Sequence, residues 1–349
     1  MEKITAGLLL GAAFGMAARW GSFCLLRGVR GQIHAQDNTP LRAFALAMAV
    51  ALLASQALQA LGSVDLATAL PMRAQFSLVG VLLGGLLFGL GMVLANSCGA
   101  RALVLLGGGN LRSLVVLVFL GLAAQATLTG VLAPLRTQLQ TLGLVSPPAP
   151  DLARAMALWL GSTPATTALW TVALLALALA WFALRPAPSP NKLSALASAA
   201  VIGLLVAAGW WITAHVGADP FDPLPLTSLS FVAPTGDSLL YLMLSTGRPA
   251  DFGVALVAGT CLGALAVALA GKTFRIESFA SAPRLLAAIA GGVCMGFGGV
   301  LALGCSIGQG LAGFSSLALA SFAALAAIVA GIALGLAAER HLSHSKEQK

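Results

Sequence analysis

Apolar runs of bilayer length recur along this chain with almost no charge inside them, and nothing else in the sequence limits the fold as strongly. Leu114 to Pro134 and Ala165 to Leu184 are two examples. A helix needs about 20 such residues to cross a membrane core. Only 9% of the 349 residues are charged and 59% are hydrophobic, whereas a soluble domain carries about 25% charged residues. The chain reads as an all-α polytopic membrane protein with a single compact membrane domain. Nine segments are expected, at 4–18, 43–61, 77–96, 113–133, 164–184, 193–215, 250–270, 285–303 and 317–338. The first lacks a small-x-small cleavage site and carries helix-packing glycines, so it reads as a retained span rather than a secretory signal.

Charge placement sets an orientation. With the N-terminus outside, only Lys3, Arg73, Arg136, Arg154 and Arg248 remain on the outer side, and the other fourteen of nineteen basic residues fall inside. The positive-inside bias then predicts an outside N-terminus and a cytoplasmic C-terminus. The net charge of +8 follows from this loop bias and not from nucleic-acid binding. Outside the spans, the Pro-rich "LGLVSPPAPDLARAM" is expected to break any helix. The stretch "GADPFDPLPLTSLSFVAPTGDSL", with Asp219, Asp222 and Asp237, reads as a solvated loop or a mouth-lining one.

One decamer occurs twice. "GLGMVLANSC" runs from Gly89 to Cys98 and "GFGGVLALGC" from Gly296 to Cys305, with six of ten positions identical. The first copy closes segment three and the second closes segment eight, so the two cross the membrane in opposite senses. That pattern predicts inverted-topology repeats: residues 1–150 as the first, 151–192 as a connector with the fifth span, 193–340 as the second, and 341–349 as a cytoplasmic tail. Glycines beside each cysteine let helices approach closely in lipid. The apolar run breaks after each cysteine, into "GARALVLLGGGN" and "SIGQGLAGFSS", which predicts helices that stop inside the protein. Non-helical backbone at that depth survives only where protein or a cavity surrounds it, and the exposed helix N-termini favour anions. A partial third copy, "GMAARWGSFC", ends at Cys24; the matching place in segment six offers "GWWITAHVG" and no thiol.

Most other signals have plain readings. Cys261 and Cys294 lie inside apolar runs and outside the repeated frame, as structural cysteines do. No Cys-x-x-Cys occurs among the five cysteines, so neither a disulfide framework nor a zinc site is expected. "GQGLAG" (Gly308 to Gly313) lacks the βαβ context of a dinucleotide fingerprint. All eleven acidic residues are assigned to loops or termini, which disfavours a carboxylate relay and cation transport. His34, His215, His341 and His344 offer no ligand set. Arg101, three residues after Cys98, is either an anion-attracting group at the inner mouth or a snorkelling arginine.

Thiols at mid-membrane suit a soft ligand. In apolar surroundings they stay neutral, and a neutral S–H is a weak, polarizable donor that does not trap an anion as a fixed cation would. Several spaced thiols would act as stepping points, since conduction needs sites weak enough to leave. An alternative use of the same cysteines is a membrane thiol oxidoreductase or sulfurtransferase carrying disulfide or persulfide sulfur.

The sequence resembles the YeeE/YedE family of bacterial inner-membrane proteins. The resemblance is carried by "WGSFCLLRG", "GLGMVLANSCGARAL", "GGVCMGFGGVLALGCSIGQGL" and the region from "GWWITAHVGADPFDPLP" to "SLSFVAPTGDSLLYLM", and it spans nearly the whole chain. It implies that the outside is the periplasm, and it implies pseudo-symmetric halves, short helices dipping to mid-membrane, and uptake of thiosulfate along a path that Cys24, Cys98 and Cys305 line by motif match. Gly99, Arg101, Ser306 and Gln309 flank those thiols and complete the expected translocation set. The resemblance also implies a separate cytoplasmic sulfur-carrier protein of the TusA type as companion. No cofactor and no metal are expected, and the chain is expected to be a transporter rather than an enzyme.

Overall fold

A computed structural model describes residues 1–34, 37–185, 192–216, 225–247, 249–279 and 281–347. The described residues form helices in this order: α1 (Glu2–Trp20), α2 (Leu25–Ile33), α3 (Thr39–Ala60), α4 (Leu78–Ala95), α5 (Gly99–Gly107), α6 (Leu111–Leu128), α7 (Ala133–Thr141), α8 (Leu152–Leu160), α9 (Pro164–Leu184), α10 (Lys192–His215), α11 (Val232–Leu244), α12 (Phe252–Ala270), α13 (Ala282–Leu301) and α14 (Leu319–Glu347). The two-residue strands β1 (Phe76–Ser77) and β2 (Leu144–Val145) pair antiparallel.

Nine stretches among the described residues are long and apolar enough to cross a membrane, and they overlie the nine segments expected from the sequence. The protein is an all-α polytopic membrane protein. Two of the nine are composite. Glu2–Ile33 holds α1 and α2 with a break before Cys24, and Leu78–Gly107 holds α4 and α5 with a break before Cys98.

Close backbone approach holds the bundle together. α4 packs on α13 and α14, α13 packs on α6, α1 lies along α12, and α3 lies along α10. A Cβ on Gly84 would stand 2.6 Å from the Gly298 carbonyl oxygen, and one on Gly91 would stand 2.7 Å from that of Gly291. The contacts are reciprocal: a Cβ on Gly298 or Gly291 would meet the carbonyl oxygens of Gly84 and Gly91 at those same distances. Lipid gives little hydrophobic drive between helices, so small residues that admit close van der Waals contact supply it. α9 stands at the periphery, with Leu169, Trp170, Leu174, Leu177 and Trp181 exposed. From Leu169 to Trp181 that face is apolar, as a lipid-facing helix requires.

Two extramembrane expectations change. The Pro-rich stretch does not exclude a helix: α8 starts inside it at Leu152, just after Pro150, where the Asp151 carboxylate accepts the Arg154 backbone N–H at 2.7 Å. Such a side-chain cap satisfies one of the open donors of a first turn. The second outer stretch is not simply a solvated loop. Its end forms α11, which packs on α6 and α12 with Val232, Thr235 and Gly236 buried. Pro234 sits in the first turn, where its missing N–H costs nothing. Asp237 therefore lies on a helix and not in a loop, and its carboxylate accepts the Gln125 amide at 3.4 Å. Asp219 and Asp222 lie outside the described residues.

Candidate functional site

The three motif cysteines share one local architecture. Each follows a helix that ends on a non-glycine residue with left-handed backbone two positions earlier: Ser22 (φ 50°), Asn96 (φ 54°) and Leu303 (φ 62°). In each case the next N–H reaches back five residues: Phe23 donates to the Ala18 carbonyl, Ser97 to that of Met92, and Gly304 to that of Gly299. This closure satisfies carbonyls that the helix end would otherwise leave open. The left-handed residue costs about 1–2 kcal/mol, and it reverses the chain so that the cysteine opens a new helix. Cys24 is the cap of α2 and Cys98 the cap of α5. Each of these helices has nine residues, a rise of about 14 Å, roughly half the hydrocarbon thickness.

The thiols occupy the capping positions. Cys98 Sγ accepts the Arg101 N–H at 3.5 Å, and Cys305 Sγ accepts the Gly308 N–H at 3.3 Å. Cys24 holds the same position at the start of α2 but its sulfur accepts no such cap bond. All three side chains are buried and all three thiols are free. Cys24 and Cys98 stand on the wall of one small cavity. Among the described residues no three His, Cys, Asp or Glu side chains stand close enough to hold one metal ion, so the three thiols are spaced and do not form a single cluster.

Cys24, Cys98, Arg101 and Ser306 line one small cavity, together with Phe14 and Phe23. Its volume is about 10 Å³, the room for a single water. Phe14 packs tilted against Phe231 with ring centroids 4.9 Å apart, and Phe23 stacks on Phe44 at 5.4 Å. Arg101 donates from its guanidinium to the Ser22 carbonyl at 3.4 Å, which ties the α5 break to the α1 break. A larger cavity of about 690 Å³ lies away from the thiols, between α3 and α9, with Asp151 and Arg154 on its wall.

The other expected site residues divide. Cys305 stands just behind the cavity wall, joined to it through Ser306 and Ile307. Gly99 opens α5, where a Cβ would meet the Leu120 side chain at 3.2 Å. Gln309 turns elsewhere: its amide nitrogen donates to the Leu303 carbonyl at 2.7 Å, and its oxygen accepts from the Ser321 hydroxyl. Gln309 thus braces the left-handed turn before Cys305 and does not line the cavity. Replacing it with leucine leaves the carbonyl of half-buried Leu303 without that donor, which costs about 1 kcal/mol. Gln309→Leu is therefore expected to lower the unfolding temperature of the detergent-solubilised protein; an unchanged temperature would mean the brace carries no weight.

Sequence reasoning missed the left-handed residues and the aromatic wall. Serine and asparagine two places before Cys24 and Cys98 were a weak signal, because asparagine tolerates this backbone; Leu303 offered none.

Comparison with known proteins agrees with this architecture. The sequence profile of the Sulphur transport family matches residues 20–334. The "Thiosulfate transporter TsuA" of Escherichia coli (strain K12) is 28% identical over 323 residues, covering 89% of this chain and 87% of that protein. The protein of the same name from Spirochaeta thermophila is 27% identical over 334 residues, covering 92% and 94%. A profile match across most of the chain, over nine apolar helices with cysteine-capped breaks, places this protein in the Sulphur transport family, among the YeeE/YedE membrane transporters and not among enzymes.

Proposed function

We propose that the protein takes up thiosulfate across the bacterial inner membrane, handing the ion inward past Cys24, Cys98 and Cys305. The observation that carries this reading is the shared cavity in which two thiols, a guanidinium and a hydroxyl meet at the N-termini of α2 and α5. Helix N-termini carry partial positive charge and open N–H donors, which share the cost of bringing a divalent anion into low dielectric. Thiols add soft donors without a fixed charge. A cavity of about 10 Å³ is too small for the ion, so passage requires the wall of Phe14 and Phe23 to open and the geometry described is an occluded one.

The same reading takes the chain as two inverted halves, with the N-terminus periplasmic and the C-terminus cytoplasmic. Its support is the glycine reciprocity. Adding 207 carries Gly84 to Gly291 and Gly91 to Gly298, so the contact of Gly84 with Gly298 becomes that of Gly291 with Gly91. A two-fold relation makes contacts reciprocal in this way. The long-helix partners obey the same exchange, α1 with α12 and α3 with α10. A TusA-like carrier would meet the inner face, where Arg27, Lys272 and Arg275 are exposed.

Labelled thiosulfate flux into proteoliposomes tests the proposal, with unlabelled sulfate as competitor. Saturable entry that excess sulfate does not abolish is expected; no entry above empty liposomes would contradict it. The place of Cys24 and Cys98 on one cavity wall also favours a second reading, a thiol oxidoreductase or sulfurtransferase. Mass spectrometry during turnover separates the two: reduced thiols throughout support transport, and a stoichiometric disulfide or persulfide supports the rival.

A further inference from the structure

Ser306 is 1% exposed, and its hydroxyl has no hydrogen-bond partner. It lies on the wall of the cavity that Cys24, Cys98 and Arg101 also line. A buried hydroxyl without a partner is destabilising, and such a group in a native fold calls for an explanation. The residues around it supply one. Leu25 and Ala100 bring the first turns of α2 and α5 into the same wall, and the first N–H groups of a helix have no partner within it. Donors of one kind, O–H and N–H, therefore gather beside the guanidinium of Arg101, while the soft S–H donors sit at the caps.

We propose that Ser306, with the first-turn amides of α2 and α5 and the Arg101 guanidinium, forms a subsite for the oxyanion end of the ligand, a tetrahedral sulfonate. This rests on the transport reading and adds a division of labour to it. Hard oxygens go to the Ser306 hydroxyl and the amides, and the soft terminal sulfur goes to Cys24 and Cys98. Ser306 thus fixes which way round the ion enters the waist, and its hydroxyl is left unsatisfied between passages. No proton or electron moves; the step is binding by hydrogen bonds alone.

Ser306→Ala is expected to change stability and binding in opposite directions. Removing a hydroxyl that has no partner leaves the unfolding temperature of the ligand-free protein unchanged or raises it. Removing a donor to an anion raises the thiosulfate concentration for half-maximal flux at least roughly tenfold. Ser306→Cys keeps a weaker donor of similar size and falls between serine and alanine. Protection from thermal unfolding by thiosulfate is measured on the same samples, so binding is read without relying on flux. Weaker protection in Ser306→Ala, together with undiminished intrinsic stability, supports the subsite. Unchanged half-saturation and protection overturn it, and so does a clear fall in intrinsic stability, which would mean that the hydroxyl serves the fold. If wild-type protein shows no flux, the transport reading fails by itself; protection lost on Ser306→Ala would then still support the oxyanion subsite.

Discussion

Cys98→Ala is expected to reduce thiosulfate flux by roughly 10- to 100-fold, because deleting a donor to a charged ligand costs about 1.5–3 kcal/mol and each 1.4 kcal/mol is a factor of ten. The fold should survive the change. Cys98 caps α5 through a long 3.5 Å contact to the Arg101 N–H, and loss of a cap typically costs about 1 kcal/mol. Cys24→Ala should behave similarly, since its thiol lines the same cavity as that of Cys98. Cys305→Ala tests whether the third thiol, behind the cavity wall, also belongs to the path. Serine replacements separate softness from hydrogen bonding. Serine is a preferred helix cap, so Cys98→Ser should be at least as stable as the parent, yet it offers a harder donor and should transport less well. Growth on thiosulfate as sole sulfur source, in a strain lacking other uptake systems, reads the same effect in cells. Full growth of all three alanine variants would remove the thiols from the mechanism.

Gly91→Val and Gly298→Val are expected to deplete the protein from the membrane, and to equal degrees. A Cβ on Gly91 would meet the Gly291 carbonyl oxygen at 2.7 Å and the Met295 side chain at 2.9 Å; one on Gly298 would meet the Gly84 carbonyl oxygen at 2.6 Å. The obstacle is backbone in each case, so a rotamer change cannot relieve it and the two helices must separate. Overpacking costs about 1–3 kcal/mol and sometimes more, and here it strikes the packing of α4 on α13. Gly247→Ala is the control, because the nearest atom to its Cβ is 3.9 Å away. Quantitative blotting of membrane fractions measures all three. Loss of one glycine variant but not the other would argue against a two-fold relation between α4 and α13.

Much of the fold was legible because lipid imposes a simple rule. Runs such as Ala165 to Leu184 must be helices that satisfy their own backbone, and all nine appear where hydropathy placed them. The cysteine decamers were legible because they repeat. The helix α11 was obscured by Pro234 and Gly236, which read as loop signals until tertiary contacts with α6 and α12 overrode them. The closure before Cys305 was hidden for another reason. Nothing about leucine marks Leu303 as left-handed; that conformation exists because Gln309 and Gly304 hold it, a cost borne by neighbours. Ser306 was legible as a neighbour of a thiol, but its unsatisfied hydroxyl is a property of three-dimensional surroundings that no spacing reveals. Gln309 stands beside Cys305 in the sequence, and spacing alone does not reveal that its side chain bonds to Leu303 and Ser321.

A density map of the protein frozen with thiosulfate measures the central claim most directly. The ion is expected at the junction of α2 and α5, its terminal sulfur toward Cys24 and Cys98 and its oxygens toward Ser306, with Phe14 or Phe23 displaced to make room. Density confined to the α3–α9 cavity beside Arg154, with the cysteine junction still closed, would contradict it.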